Sequence, residues 1–402
     1  MSDHGCPTIH LGEINSAHDA AAGYAKVRDA SSGTVARGDD LGGYWAITGY
    51  DQVKQAATNT DQLISGKGCT IPRLGSAFTP IPVEVDPPMH RHYRRLLVPE
   101  LRPEAAEKWA GRIAEVTDKV IDRFIESGEG DLREIANTVP PAIIASILGS
   151  PDDAKAMVSL THDLNEAAMS GDLERKKAAN MAVFGLTDRI VTEAENAGPD
   201  RDDLAVQIAR GVVNGEPITH QKAVWTTVTL VVAGHETTVN GISSILWLVA
   251  AHPEIKQQLL DDPSLLDAAV EEALRLESPV QLMGRTATQD MDLFGVQIKE
   301  GDAVGLTWGA ANTDPAKFEN PSEFRLDRGN NPHVAFGHGI HRCVGEHLAR
   351  VEMKVTLQRV LERMPDYELN GDVVIGANID QNRGALTVPV KFTAGAKLYA
   401  NA

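Results

Sequence analysis

Apolar residues return at intervals of three and four over most of this chain, so helices dominate the reading. Trp109, Ile113, Val116, Val120 and Phe124 line one face of a core helix within residues 103–128, and residues 132–148 repeat the pattern across an internal Pro140-Pro141 pair. Residues 161–210 are helix-rich and more charged, with breaks expected at Gly171, Gly185 and Gly198. Further helices are expected at 50–58, at 267–276 and from Glu346 onward. Short runs predict strands at 44–48, 291–306 and 385–392, with Gly295, Gly301 and Gly384 as turn signals. Residues 1–40 mix helical and loop signals, and the pattern assigns them no role. Gly66, Gly68, Pro72, Gly75, Pro80 and Pro82 make residues 62–85 an irregular loop, longer than most connections in a compact domain.

Residues 223–251 are different, because they are apolar nearly all round and hold one carboxylate, Glu236. Their length raises a transmembrane span. Five threonines, two serines, Asn240 and Glu236 suit that poorly, and a helix buried through the middle of a large domain suits them better. Desolvation favours the neutral form of a buried acid, so Glu236 is either partnered or employed in proton handling. His235-Glu236 also begins a zinc-peptidase pattern, which needs a second histidine four residues on. Position 239 is Val, and that reading fails.

The 402 residues, 42% of them hydrophobic, are enough for a large core. A net charge of -18 and a pI near 5.1 argue against nucleic acid or an anionic membrane surface as partner. Three cysteines exclude a disulfide framework and fit a reducing compartment. Met1-Ser2-Asp3-His4-Gly5-Cys6 has neither a basic n-region nor an apolar h-region, so the expectation is a soluble, cytoplasmic protein without a membrane anchor.

The richest chemistry lies at Phe336-Gly337-His338-Gly339-Ile340-His341-Arg342-Cys343-Val344-Gly345, just before a helical pattern. Glycines let the backbone turn sharply and approach a flat ligand, and backbone N–H groups aimed at a thiolate would hold it unprotonated. Two other readings stand beside that one. Cys343 is a core cysteine next to a turn, or His338, His341, Cys343 and His347 hold zinc, although structural zinc sites gather ligands in spaced pairs.

Phe-Gly-x-Gly-x-His-x-Cys-x-Gly resembles the haem-binding loop of the cytochrome P450 family at all six specified positions. The resemblance implies a mainly α fold with small β-sheets, a single haem domain over residues 1–402, and a long central helix over the haem. It implies haem b with Cys343 as the thiolate ligand of its iron, set in a loop that includes Phe336, Gly337 and Gly345. Asp86-Pro87-Pro88-Met89-His90 with Arg94 is similar to a family motif whose His and Arg meet a haem propionate, with Met89 where Glu is frequent. Arg285 matches a second propionate-binding arginine, and His341 is a further such contact.

Ala233-Gly234-His235-Glu236-Thr237-Thr238 resembles the family's oxygen-activating helix. The match implies that Ala233 and Gly234 let dioxygen lie against the backbone, that Glu236 relays protons and that Thr237 supplies hydrogen bonds around dioxygen; Thr238 is structural. Glu272-x-x-Arg275 resembles a structural pair whose third member is Arg328. Loop 62–85 would cover the distal face and helices 161–210 would form a lid, while Val280, Leu282 and Met283 line the pocket or pack the core.

The implied reaction is monooxygenation of a small apolar organic substrate with O2. No flavin, nicotinamide or iron–sulfur motif is visible, so two electrons come from a separate partner, expected to be an acidic iron–sulfur ferredoxin fed by its reductase. Arg91, Arg95, Arg342, Arg350 and Lys354 are the expected basic docking patch on a monomer. The alternatives are a peroxide-driven enzyme of the same fold and a non-catalytic haem sensor or carrier, which has no need of the Glu236-Thr237 pair.

Overall fold

The computed structural model describes residues 6–30, 34–39, 42–71, 78–169, 172–376 and 381–399. Met1 to Gly5, the loop positions Pro72 and Gly75, and the break expected at Gly171 lie outside the described residues.

The helix His220–Ala251 is the axis of the fold. Its 32 residues extend about 48 Å, and the helices Arg133–Ile147, Leu173–Glu195, Leu266–Glu277 and Glu346–Arg363 pack against it. Three of its buried threonines close their own hydrogen bonds. Thr226, Thr227 and Thr229 donate to the carbonyls of Lys222, Ala223 and Trp225 at 2.8, 3.0 and 2.8 Å, one turn back. Much of the polarity that reads as too high for a bilayer is therefore satisfied within the helix itself.

A six-stranded sheet lies to one side, in the spatial order Thr8–Ile9, Val35–Gly38, Tyr44–Ile47, Ala303–Leu306, Met283–Ala287, Leu63–Ile64. Tyr44–Ile47 runs parallel to Ala303–Leu306, and Met283–Ala287 returns antiparallel with Arg285 opposite Val304. Apolar clusters cover both faces: Trp45, Ile47, Val53, Leu306 and Trp308 on one, Ile9, Tyr24, Tyr44, Ile71 and Leu282 on the other. A three-stranded sheet, Glu368–Leu369, Pro389–Lys391, Glu129–Asp131, and three two-stranded ribbons complete the β structure. The mainly helical fold with small sheets is the one expected.

The structure corrects several local readings. Gly185 does not interrupt the helix Leu173–Glu195. It sits on an exposed turn, where glycine costs a helix about 1 kcal/mol and packing elsewhere carries the element. Residues 103–128 form two helices, Pro103–Glu107 and Ala110–Ile121. The unassigned N-terminal region adds two strands to the main sheet and the helices Leu11–Ser16 and Ala20–Asp29. Arg383, wholly buried, donates to the carbonyls of Asn15 and Ala17 at 2.6 Å and ion-pairs with Glu277, which ties that region to the core. Leu282 belongs to the core under the sheet, while Val280 and Met283 are partly exposed.

At the start of the central helix, His220 bridges two acids of Leu173–Glu195: Nδ1 lies 3.0 Å from Glu195 and Nε2 3.0 Å from Asp188. Both nitrogens face carboxylates, so only the imidazolium donates to both, and these two hydrogen bonds raise the pKa above 6.5. A raised folded pKa stabilises at low pH and the contribution is lost as pH rises through that pKa. Solvent screening limits such a contact to about 1 kcal/mol at most. As pH rises through that pKa, the protection of the amides in residues 188–195, taken as their exchange relative to the intrinsic rate at the same pH, is expected to fall in the parent protein and to stay constant in His220→Gln.

Candidate active site

The segment around Cys343 is a closed turn. The Cys343 N–H donates to the Phe336 carbonyl at 2.8 Å, and Gly337 N–H to Val334 at 2.9 Å. Gly337 and Gly339 have φ of 75° and 74°, a region that other L-residues rarely enter. Gly339 also runs so close to the Ala57 carbonyl that a Cβ would lie 2.8 Å from it. Gly339 is thus required by both conformation and space, and Gly337 by conformation alone.

Cys343 retains accessible surface, yet the protein around it desolvates the thiol and pushes its pKa up, against the Gly345 N–H that bonds to the sulfur. An accessible sulfur inside a desolvating environment faces an internal space. Such a thiol ionises readily only when a cation binds it. Among the described residues no three His, Cys, Asp or Glu side chains are arranged to hold a metal ion, so His338, His341, Cys343 and His347 do not form a zinc site.

The central helix supplies a second accessible wall. Leu230, Ala233, Gly234 and Thr237, at i, i+3, i+4 and i+7, keep accessible surface, while Val231, His235, Glu236 and Thr238 are buried. Thr237 Oγ1 donates to the Ala233 carbonyl at 2.8 Å. Glu236 lies on another face, near the buried Arg133 of Arg133–Ile147.

Four basic side chains from three distant segments converge beside the Cys343 turn. The rings of His90 and His341 are 4.4 Å apart, and Ser65 Oγ lies 3.4 Å from His341 Nε2. Burial, then the charges of Arg285, His90 and Arg94, push the His341 pKa down to about 3. Arg285 is 5% exposed and bonds, among the described residues, only to the Gly284 carbonyl at 2.7 Å. Arg94 makes no ion pair with any described acid; it feels the Cys343 and Glu346 charges. Asp86 is the nearby carboxylate, and it accepts from the Ser65 and Gly66 N–H groups at 2.8 and 3.0 Å. Arg94 and Arg285 make the wall cationic and short of anions, and the two neutral imidazoles add ring N–H donors, which together suit a carboxylate-bearing ligand.

Behind the turn, ionic contacts are complete. Glu272 and Arg275, both wholly buried, form a two-pronged pair at 2.7 and 2.8 Å, and Arg328 joins the same carboxylate at 2.6 Å. Arg275 also donates to the carbonyls of Asn312, Pro321 and Glu323. Next to this lies a group that the sequence did not reveal. His333 and Arg350 both bond to Glu271, Arg350 also bonds to Glu346, and its guanidinium stacks 4.4 Å from the Phe336 ring. Burial opposes ionisation of Glu271, but His333 and Arg350 outweigh it and hold the pKa down at about 2.

The expected basic docking patch is largely neutralised. Arg342 and Arg350 pair with Glu346, and Lys354 with Asp267. Arg91 and Arg95 are exposed and have no acid partner among the described residues. The reason is the helical spacing of Arg342, Glu346 and Arg350, each four residues from the next.

The arrangement sets a desolvated cysteine beside a cation-rich wall, and comparison with known proteins gives the family. The cytochrome P450 family model matches residues 46–365. Cytochrome P450 107B1 of Saccharopolyspora erythraea is 35% identical over 341 residues, covering 81% of this chain and 83% of that protein. Cytochrome P450 monooxygenase PikC of Streptomyces venezuelae is 30% identical over 401 residues, covering 97% and 95%. The crystal structure of CYP108D1 from Novosphingobium aromaticivorans matches with a TM-score of 0.85 at 28% identity, over 96% of this chain and 97% of that one. The chain belongs to the cytochrome P450 family. Its cofactor is therefore haem b, its co-substrate dioxygen, and its class oxidoreductase. No described helix is long and apolar enough to cross a membrane.

Breaking a buried ion pair leaves an uncompensated charge, at a cost of about 3–5 kcal/mol. Arg275→Met is expected to lower the unfolding free energy by about that amount in urea titration. A loss below about 1 kcal/mol would mean that the triad contributes no more than a surface pair.

Proposed function

We propose that the protein inserts one oxygen atom from O2 into a small apolar organic substrate, with Cys343 as the iron ligand and electrons delivered by a separate protein. The observation that carries this reading is the accessible, desolvated Cys343 sulfur flanked by four basic side chains short of anions. His90, Arg94, Arg285 and His341 would take the two propionates, and Gly337 and Gly345 would let a flat macrocycle approach the turn. Bound haem supplies the oxidising chemistry, with the thiolate pushing electron density to favour O–O cleavage.

The remaining work belongs to the central helix. Ala233 and Gly234 leave space against the helix for dioxygen. Thr237 presents a hydroxyl on the accessible stripe, where it can exchange its bond to Ala233 for one to dioxygen and pass a proton on. Glu236, one residue back on a buried face, replaces that proton. Leu230 and Ala233 give the cavity an apolar lining, and Phe78 meets Phe184 edge-to-face at 5.2 Å where the loop reaches the lid helix. These surfaces suit an uncharged substrate.

An iron–sulfur ferredoxin is the proposed donor, with Arg91 and Arg95 as the cations free to meet its acids. Arg95→Glu is expected to slow electron transfer and weaken its salt dependence; unchanged kinetics would remove these residues from the interface. Turnover with peroxide in place of the donor would favour the peroxide-driven alternative.

The reduced protein with carbon monoxide is expected to give the red-shifted thiolate band, and Cys343→His to lose it. A parent protein lacking that band after haem loading would overturn the assignment of Cys343. Thr237→Ala is expected to keep consuming electrons while product falls by the order of 10²-fold. Equal product per electron in the variant would remove Thr237 from proton handling.

A further inference from the structure

Glu272 has a neighbour with a different task. Glu271, one position earlier on Leu266–Glu277, turns its carboxylate to both limbs of the Cys343 turn. On the entry limb His333, whose side chain is 2% exposed, places Nε2 3.0 Å from Glu271 Oε2. The Ala335 N–H donates to His333 Nδ1 at 3.2 Å, so the ring proton sits on Nε2 and is donated to the carboxylate. On the exit limb Arg350, in Glu346–Arg363, donates through Nε to Glu271 Oε1 at 2.6 Å and through Nη2 to Oε2 at 3.1 Å. Its Nη1–H donates to Glu346 Oε2 at 2.8 Å, and the guanidinium lies 4.4 Å from the centre of the Phe336 ring. Phe336 opens the turn, and its carbonyl accepts the Cys343 N–H at 2.8 Å. One carboxylate thus joins the segment before the sulfur to the helix after it.

Resting on the proposed role of Cys343 as iron ligand, we infer that Glu271 is a positioning residue for that ligand: it clasps the two limbs of the turn, and through Arg350 it holds Phe336, whose carbonyl fixes the Cys343 amide. The contacts are those of a fixed clasp rather than a loose surface pair. A forked guanidinium–carboxylate contact sets orientation as well as distance, and stacking on an aromatic face leaves the guanidinium little freedom. Burial opposes ionisation of Glu271, but His333 and Arg350 outweigh it and hold the pKa down at about 2, so the clasp is ionic at any working pH. A second pair joins the same two helices: Lys354 Nζ lies 2.9 Å from Asp267 Oδ2, with side chains 40 and 72% exposed. Among the described residues neither Lys354 nor Asp267 bonds to the turn, so this pair separates clasping the turn from merely linking the helices.

The test uses the haem-loaded protein and reads two quantities besides turnover: the iron–sulfur stretching frequency by resonance Raman, and the exchange of the Cys343 and Gly337 amides relative to their intrinsic rates. Glu271→Ala is expected to shift and broaden the stretch and to raise the exchange of both amides by about tenfold or more, while Asp267→Asn leaves both quantities at the parent values. Arg350→Lys keeps the charge but neither the fork nor the stack, and is expected to move the stretch in the same direction as Glu271→Ala. Should Glu271→Ala fail to load haem, Glu271→Gln keeps the size and one acceptor oxygen without the charge and is expected to give a smaller change of the same sign. Parental frequency and exchange in a folded, haem-loaded Glu271 variant overturn the inference, as does an equal change in Asp267→Asn. A parent protein without the thiolate band overturns instead the reading of Cys343 on which the inference rests, so the two failures are distinct.

Discussion

A carboxylate wholly excluded from water stays charged only where something positive meets it, and Glu272 is met by two guanidiniums. Everything that presents Cys343 hangs from that contact. Arg275 reaches on to three backbone carbonyls between residues 312 and 323, and Arg328 to those of Glu319, Asn320 and Glu323. Asn331 donates to the same Glu272 carboxylate at 3.0 Å. Asn312 then accepts the Val334 N–H at 2.7 Å, two residues before the turn opens at Phe336. The sulfur is therefore positioned by a chain of charge-assisted bonds that begins on a helix some seventy residues earlier.

In front of the turn the logic reverses. Behind Cys343 the buried acids Glu271 and Glu272 have their opposites, Glu271 in His333 and Arg350 and Glu272 in Arg275 and Arg328. On the opposite side Arg94 and Arg285 form no ion pair among the described residues, His90 and His341 press against each other, and the nearby Asp86 carboxylate accepts from backbone amides. Charges left short of partners weaken a fold, so their concentration at one wall marks the place where a ligand completes them. Completed pairs hold the scaffold, and the incomplete ones are those proposed to hold the cofactor.

The central helix divides its work by face in the same way. Hydroxyls that would be costly in a core bond back to carbonyls one turn earlier, which frees the helix to run through the protein. Its accessible stripe carries Ala233, Gly234 and Thr237, and an adjoining packed stripe carries Glu236, Asn240 and Ser243 against Arg133. The two stripes lie side by side, and only the second is embedded in protein.

Much of this was legible along the chain. Local spacing determined the long buried helix, the helix at 50–58, the strand at 44–47 and the glycine-rich turn, because each depends on residues within a few positions of one another. Motifs identified the family and pointed to Cys343, to the Glu236-Thr237 pair and to the Glu272, Arg275 and Arg328 triad. Short elements in residues 1–40 escaped, since four-residue strands and six-residue helices carry too little periodicity. Only the tertiary structure decided which charges are spent. Arg342, Arg350 and Lys354 read as a free basic patch but are neutralised by Glu346 and Asp267, and Arg133, unremarkable in sequence, meets Asn240 across more than a hundred positions. Sequence records which groups a chain owns and how they are spaced locally, whereas burial and pairing, which set the energy of a charge, belong to neighbours that folding alone brings together.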